Sequence, residues 1–290
     1  MIKLQAQIVP MHNSSLPIVT IDWLKEHIDD QNLVILDATF KKVTASDSND
    51  PSNLGIPGAI FLDIKKDFSD QQSALPNTLP TPSAFTKAAQ TLGIKKSSKI
   101  VVYDKLGIYS SPRVWWMFRA MGHEQVAVID GGLPEWIRSG GTLQEIAPQF
   151  PQTGNFEANL QKDWVTNAAD VLKNIGNKTC KVFDARSAGR FNGTAPEPRA
   201  GLRGGHIPGS FSLPYSEVLE EGKFKSIPEL KAIFQKLNAS KEKMIFSCGS
   251  GITASIIMLA AELVGHSGGA VFDGSWTEWA GDKKYPVEKH

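Results

Sequence analysis

Short unbroken apolar runs and longer stretches with helical spacing follow one another along this chain, and the whole series occurs twice. The first series opens with Ile18-Val-Thr-Ile-Asp-Trp-Leu-Lys-Glu-His-Ile28 and the second with Trp164-Val-Thr-Asn-Ala-Ala-Asp-Val-Leu-Lys-Asn-Ile175. In each, the amphipathic stretch sits behind a threonine, Thr20 or Thr166, whose hydroxyl suits an N-cap because it can accept from a first-turn amide. Both segments are predicted helices. Leu33-Val-Ile-Leu-Asp37 and Lys181-Val-Phe-Asp184 come next, apolar runs ending in aspartate that suit buried parallel strands with a functional edge. Ile56-Pro-Gly-Ala-Ile-Phe-Leu62 answers His206-Ile-Pro-Gly-Ser-Phe-Ser-Leu213, each a Pro-Gly turn feeding a further strand. Lys99-Ile-Val-Val-Tyr-Asp104 answers Lys243-Met-Ile-Phe-Ser-Cys248. Val128-Ile-Asp-Gly-Gly-Leu-Pro-Glu-Trp136 answers Val271-Phe-Asp-Gly-Ser-Trp-Thr-Glu-Trp279.

Five correspondences in one order, about a domain apart, indicate a duplication rather than a solenoid. Helical stretches follow the strands, Pro112 to Met121 after the first copy's central strand and Gly251 to Gly265 after the second's. The alternation predicts α/β domains, each a mostly parallel sheet flanked by helices. Gly140 to Gln161 is rich in Gly, Pro, Gln and Thr without a sustained period and is the expected linker. The domains are placed at residues 17 to 140 and 162 to 283.

Composition narrows the partners. The 290 residues are 41% hydrophobic and 21% charged, as in an ordinary globular protein, and too many for one typical domain. A formal net charge of +1 gives no global attraction to nucleic acid or to an anionic membrane surface. The longest apolar run, Ile252 to Val264, is too short to span a bilayer. Met1 to Pro17 lacks the apolar core and cleavage pattern of a secretory signal and has no arginine, so a short extension is expected there. Two cysteines, Cys180 and Cys248, make a disulfide framework improbable and a reducing, cytoplasmic setting the expectation.

The cysteines differ in setting. Cys180 precedes a strand and reads as a small buried hydrophobe. Cys248 stands where the strand Lys243 to Ser247 runs through Cys248-Gly-Ser-Gly-Ile-Thr-Ala254 into a helix with an apolar face of Ile252, Ile256, Leu259, Ala260 and Leu263. Gly249 and Gly251 let successive amides point inward, and the helix N-terminus adds partial positive charge. Such a cradle favours the nucleophilic thiolate, and would favour a persulfide anion equally. A phosphate-cleaving cysteine needs an arginine six positions on, where this chain has Ala254. A cysteine protease needs a histidine base, and none of the six histidines stands in a partner motif or at metal-ligand spacing. No metal or cofactor is expected. The first copy has Asp104 where the second has Cys248, so the first domain is expected to be catalytically silent and to wall a cleft.

The Cys248-Gly-Ser-Gly-Ile-Thr-Ala loop resembles the active-site loop of the tandem-domain rhodanese family, in its 3-mercaptopyruvate-using branch. Val101-Val-Tyr-Asp, Ser111-Pro-Arg-Val-Trp-Trp-Met-Phe-Arg119 and Asp130-Gly-Gly extend the resemblance over nearly the whole chain. It implies sulfur transfer from 3-mercaptopyruvate through a Cys248 persulfide to a thiol such as thioredoxin, or to cyanide. A keto acid needs its carboxylate held, and arginine does so with a planar fork. Three arginines, Arg186, Arg190 and Arg199, follow the strand ending at Asp184, where ligands bind in parallel α/β sheets. The resemblance assigns the substrate carboxylate to Arg190 and Arg199, leaving Arg186 for a structural ion pair. It places Gly249, Gly251, Thr253 and Tyr109 on the substrate, and Ser250 and Asp63 in proton handling with Cys248. Leu75-Pro-Asn77 departs from the family, which has a histidine where this chain has Asn77. Two rival readings are a thiosulfate sulfurtransferase, which the neutral Gly249-Ser250-Gly251 loop disfavours, and a non-enzymatic sulfur carrier or binding module.

Overall fold

A computed structural model describes residues 17–40, 53–146, 153–239 and 243–289. The N-terminal stretch to residue 16 and part of the linker, 147–152, lie outside the described residues. Each copy builds a five-stranded sheet in the same order, with every neighbouring pair parallel. In the first, Ile18–Val19, Val126–Ile129, Lys99–Tyr103, Leu33–Asp37 and Ile60–Phe61 lie side by side. In the second, Val165–Thr166, Ala270–Phe272, Lys243–Ser247, Cys180–Asp184 and Phe211–Ser212 repeat that order. The registers correspond too: Asp37 lies opposite Tyr103, and Asp184 opposite Ser247. Both central strands therefore end at the same level, and the loops after them, at Asp104 and Cys248, emerge at the carboxyl edges of the sheets, where helix dipoles and free amides collect.

The caps show how closely local sequence governs the elements. Thr20 caps the Ile21–His27 helix by accepting from the Trp23 amide at 3.2 Å. In the second copy the expected cap, Thr166, is instead the last residue of an edge strand paired with Phe272. Asn167 caps the Ala168–Asn177 helix, accepting from the Asp170 amide at 3.0 Å. Strand pairing has claimed the threonine, and the next side chain able to accept takes over its task.

The helix after Cys248 also departs from expectation. It spans Ala254–Leu263 and is buried on nearly every side rather than along one apolar face. The reason is its neighbour, the Ser111–Ala120 helix of the first domain, which packs against it and is itself buried except at Arg119. One apolar cluster runs from Val102 and Trp116 through Ile256 and Leu259 to Phe246, so the two domains share a core instead of meeting across a wet interface. The linker joins this packing: Phe156 is buried against Phe85 and Phe118, and its amide donates to the Ile94 carbonyl at 3.1 Å. No described helix is long and apolar enough to cross a membrane.

Candidate active site

A cavity of about 220 Å³ opens over the Cys248 loop. The second domain lines it with Gly249, Ser250, Ile252 and Thr253, and with Arg186, Arg190 and Arg199 from the segment after the Cys180–Asp184 strand, Arg190 standing on the short Ala188–Asn192 helix. The first domain closes it with Phe40 and Tyr109, and Tyr215 packs edge-on against the Tyr109 ring at 6.0 Å between centroids. A larger hollow of about 310 Å³, beside Cys180 and Lys243, lies at the opposite end of the same strands. The smaller one is the candidate site, since the carboxyl ends carry the helix N-terminus and the loop glycines.

Cys248 is buried at 2% exposure beneath the loop, and its thiol is free. Its backbone is pinned from below: the Cys248 amide donates to Ser275 Oγ at 3.1 Å, and its carbonyl accepts from the Trp276 amide at 2.9 Å. The Gly249 carbonyl accepts from Thr277, at 3.0 Å from the amide and 2.6 Å from Oγ1. Ser275 and Thr277 thus hold the nucleophile loop, and the sequence marks them only as part of a repeat. The two glycines leave room for arginine side chains, and at Gly251 the backbone itself favours glycine. A Cβ on Gly249 would stand 3.1 Å from Arg190 Nη2. Gly251 has φ of +80°, and a Cβ there would meet Arg113 Nη1 at 2.8 Å.

The first copy shows what such a loop does with an anion. Asp104, fully buried, accepts on Oδ2 from the amides of Tyr109, Ser110 and Ser111, each at 2.9 Å, and from Ser111 Oγ at 2.7 Å. Its Oδ1 takes the Leu106 amide at 3.0 Å. The first domain therefore fills its anion cradle with its own carboxylate.

The three arginines divide as their partners dictate. Arg186 is fully buried, forks onto Asp184, and reaches Glu197 Oε1 at 2.8 Å and the Gly205 carbonyl at 2.8 Å. Burial opposes its charge, but Asp184 and Glu197 outweigh burial and raise its pKa. It is structural, as expected. Arg190 shares Glu197 through Nε and Nη2, the latter at 2.6 Å, and lines the cavity beside Gly249. Arg199 is half-buried and gives one hydrogen bond, to Ser250 Oγ at 3.3 Å. Burial is the main influence lowering its pKa, with the Arg190 charge adding to that and Cys248 opposing it. Tyr109 is pushed up to about 12, first by burial and then by Tyr215 and Cys248, so it presents a neutral hydroxyl.

Ser250 is buried and lines the cavity, where Asn77 of the first domain reaches it at 3.0 Å. Thr253 stands at the helix N-cap on the cavity wall and makes no capping bond. Asp63 is placed differently. It does not line this cavity, and its Oδ1 accepts from the amides of Lys65 and Lys66, each at 2.9 Å, closing its own turn. Phe40, Ser187, Pro198 and Tyr215 line the cavity without having been singled out in the sequence.

Known proteins resemble this chain in sequence and in fold. The model of the rhodanese-like domain matches residues 20–139 and again 167–282. The 3-mercaptopyruvate sulfurtransferase of Escherichia coli strain K12 is 41% identical over 274 residues, which cover 93% of this chain and 97% of that protein. The thiosulfate sulfurtransferase of Rattus norvegicus is 38% identical over 273 residues, 90% of this chain and 91% of that protein. The crystal structure of SseA from Escherichia coli, described with the rhodanese fold of 3-mercaptopyruvate sulfotransferases, aligns with a TM-score of 0.79. It is 38% identical and covers 90% of this chain and 99% of its own. Matched twice over, by sequence and by fold, the chain belongs to the rhodanese family and carries two of its domains in tandem.

Proposed function

We propose that this protein is a 3-mercaptopyruvate sulfurtransferase. The observation that carries the reading is one small cavity walled on one side by the Gly249–Thr253 loop, which follows directly on the buried free cysteine Cys248, and on another by two arginines able to face a carboxylate. The loop itself adds no cation, since Gly249, Ser250 and Gly251 are neutral. The cations that line the cavity, Arg186, Arg190 and Arg199, all come from the segment after the Cys180–Asp184 strand, where the carboxylate of a keto acid can be held. A dianionic inorganic donor would be served better by charge around the sulfur itself.

In the first half-reaction the Cys248 thiolate attacks the donor sulfur. The new S–S bond forms as the C–S bond breaks, and its electron pair leaves with pyruvate as the enolate. Arg199 and Arg190 hold the carboxylate, Tyr109 donates from its neutral hydroxyl, and Thr253 and the loop glycines shape the wall. Ser250 offers its hydroxyl to the keto group as a hydrogen-bond donor, and the geometry lends Asp63 no support for a share in proton handling. In the second half-reaction a thiol, such as that of thioredoxin, or cyanide removes the outer sulfur and restores Cys248. None of these steps calls on a metal or a cofactor, and a cytoplasmic setting suits the free thiols.

The test is steady-state pyruvate release from 3-mercaptopyruvate with a thiol acceptor, beside thiocyanate formation from thiosulfate and cyanide. The expected result is a kcat/KM larger by at least about tenfold for 3-mercaptopyruvate, the effect of one well-placed charged contact. A preference for thiosulfate would overturn the donor, and inactivity toward both would favour a carrier or binding module.

A further inference from the structure

Ser250 Oγ is approached from two sides by groups that can only donate. Asn77 Nδ2 lies 3.0 Å away and Arg199 Nη2 3.3 Å away. The direction of the Asn77 amide follows from a second contact, 3.4 Å between Nδ2 and the Ser250 carbonyl, which can only accept. Turning the amide over would set oxygen against oxygen. A hydroxyl has two acceptor lone pairs and one proton. With both lone pairs engaged, the Ser250 proton can only be given away, and Ser250 lines the cavity.

Asn77 is itself held from behind. It is 5% exposed, in a left-handed conformation with φ of 60°. Such a conformation in a residue other than glycine persists where the surroundings over-determine it. Its carbonyl accepts from Arg113 Nη2 at 2.6 Å. The same guanidinium donates through Nη1 to the Gly251 carbonyl at 3.3 Å, pairs with Asp273 Oδ1 at 2.7 Å, and stacks 4.3 Å from the Trp116 ring. Asp273 in turn accepts from the Leu79 amide at 2.7 Å. One buried cation thus ties residues 77 to 79 of the silent domain to the catalytic loop of the other.

We infer that Asn77 is a positioning residue for sulfur transfer: it fixes the Ser250 hydroxyl as a hydrogen-bond donor into the cavity and removes it as a base. This rests on the function proposed above. As the C–S bond breaks, negative charge grows on the keto oxygen of the donor, and the Ser250 O–H points to it. The enolate carbon then takes the proton that the donor's own thiol brought in, leaving pyruvate and an anionic Cys248 persulfide. Ser250 keeps its proton throughout. The silent domain acts at the site through Asn77, with Arg113 fixing Asn77.

The test is a cycle of wild type, Asn77→Ala, Ser250→Ala and the double variant, with kcat for pyruvate release counted per folded molecule. Asn77→Ala is expected to lower kcat about tenfold with KM changed less than about threefold, as for a lost transition-state contact. In the Ser250→Ala background the same substitution is expected to change kcat less than about twofold. Asn77→Asp, of nearly the same shape, keeps the test open should the alanine variant fold poorly. Its carboxylate accepts the Ser250 proton and turns it from the cavity. Activity relative to wild type is therefore low at alkaline pH and rises as acidification converts the carboxylate to a donor. Equal losses in both serine backgrounds, an unchanged kcat for Asn77→Ala, or a pH-independent Asn77→Asp ratio would each overturn the inference. A wild type that releases no pyruvate refutes the proposed function and the enolate role with it; an active wild type with a flat cycle refutes the role of Asn77 alone.

Discussion

Replacing Arg113 by methionine takes the cation out of the shared core while leaving an unbranched side chain over Trp116. Arg113 has no exposed side-chain surface and its partner Asp273 only 10%, so solvent cannot take over the lost contacts. The change strands the Asp273 carboxylate and deprives the carbonyls of Gly251 and Asn77 of a donor. Removing one partner of a buried ion pair costs about 3–5 kcal/mol, far above an exposed pair. At about 2–4 °C per kcal/mol for a chain somewhat shorter than this one, the melting temperature should fall by roughly 6–20 °C. A second variant isolates the cause. Asp273→Asn, added to Arg113→Met, removes the stranded charge but keeps an acceptor for the Leu79 amide, so it should recover about half of the loss. Calorimetry and urea titration of the three proteins at one concentration measure both effects. A single-variant loss below about 1 kcal/mol, or a double variant no more stable than the single, would show that the pair does not bridge the domains as described.

Asp104→Asn should destabilise the first domain by about 2–4 kcal/mol in urea titration, because an amide cannot accept from every donor now aimed at the carboxylate; unchanged stability would contradict the filled-cradle account. Burial raises Tyr103, Tyr109 and Tyr215 above the ordinary 10.0, with Tyr109 at about 12. These phenols hold protons more tightly when folded, so their contribution to stability is complete below pH 10 and is lost as pH climbs through 12. Phenolate absorbance of the folded protein near pH 10.5 should accordingly fall well short of that of the urea-unfolded chain, and equal absorbance would refute it. Arg199→Ala should raise KM for 3-mercaptopyruvate about 10- to 150-fold, and Arg190→Ala less, because Glu197 already engages two of its nitrogens. The reverse order would assign the carboxylate to Arg190.

What could be read from the chain was whatever repeats or is local. The duplicated strand and turn signatures gave two parallel α/β domains, and the strand, glycines and helix around Cys248 marked it as the candidate nucleophile. Local competition misled at Thr166, where edge-strand pairing displaced a cap by one residue. The apolar face assigned to the helix after Cys248 was incomplete, because the Ser111–Ala120 helix that covers its other sides lies in the other domain. Arg113 stood inside a recognisable block, yet nothing in its neighbours foretold a contact with Gly251, 138 positions away. Asn77 was visible only as a departure from the family. Its use emerges once the fold brings it against Ser250, 173 positions on. Phe40 and Tyr215 belong to the cavity for the same reason: cavity walls come from loops that only the tertiary fold gathers.

The central claim is that sulfur passes through Cys248. The most direct test is to mix the protein with one equivalent of 3-mercaptopyruvate and no acceptor, then measure pyruvate and the intact mass together. The account predicts one pyruvate released per protein and one added sulfur atom, located on the Cys248 peptide and removed by a thiol or cyanide, with neither product formed by Cys248→Ser. Pyruvate released without sulfur on Cys248, or turnover surviving in Cys248→Ser, would contradict it.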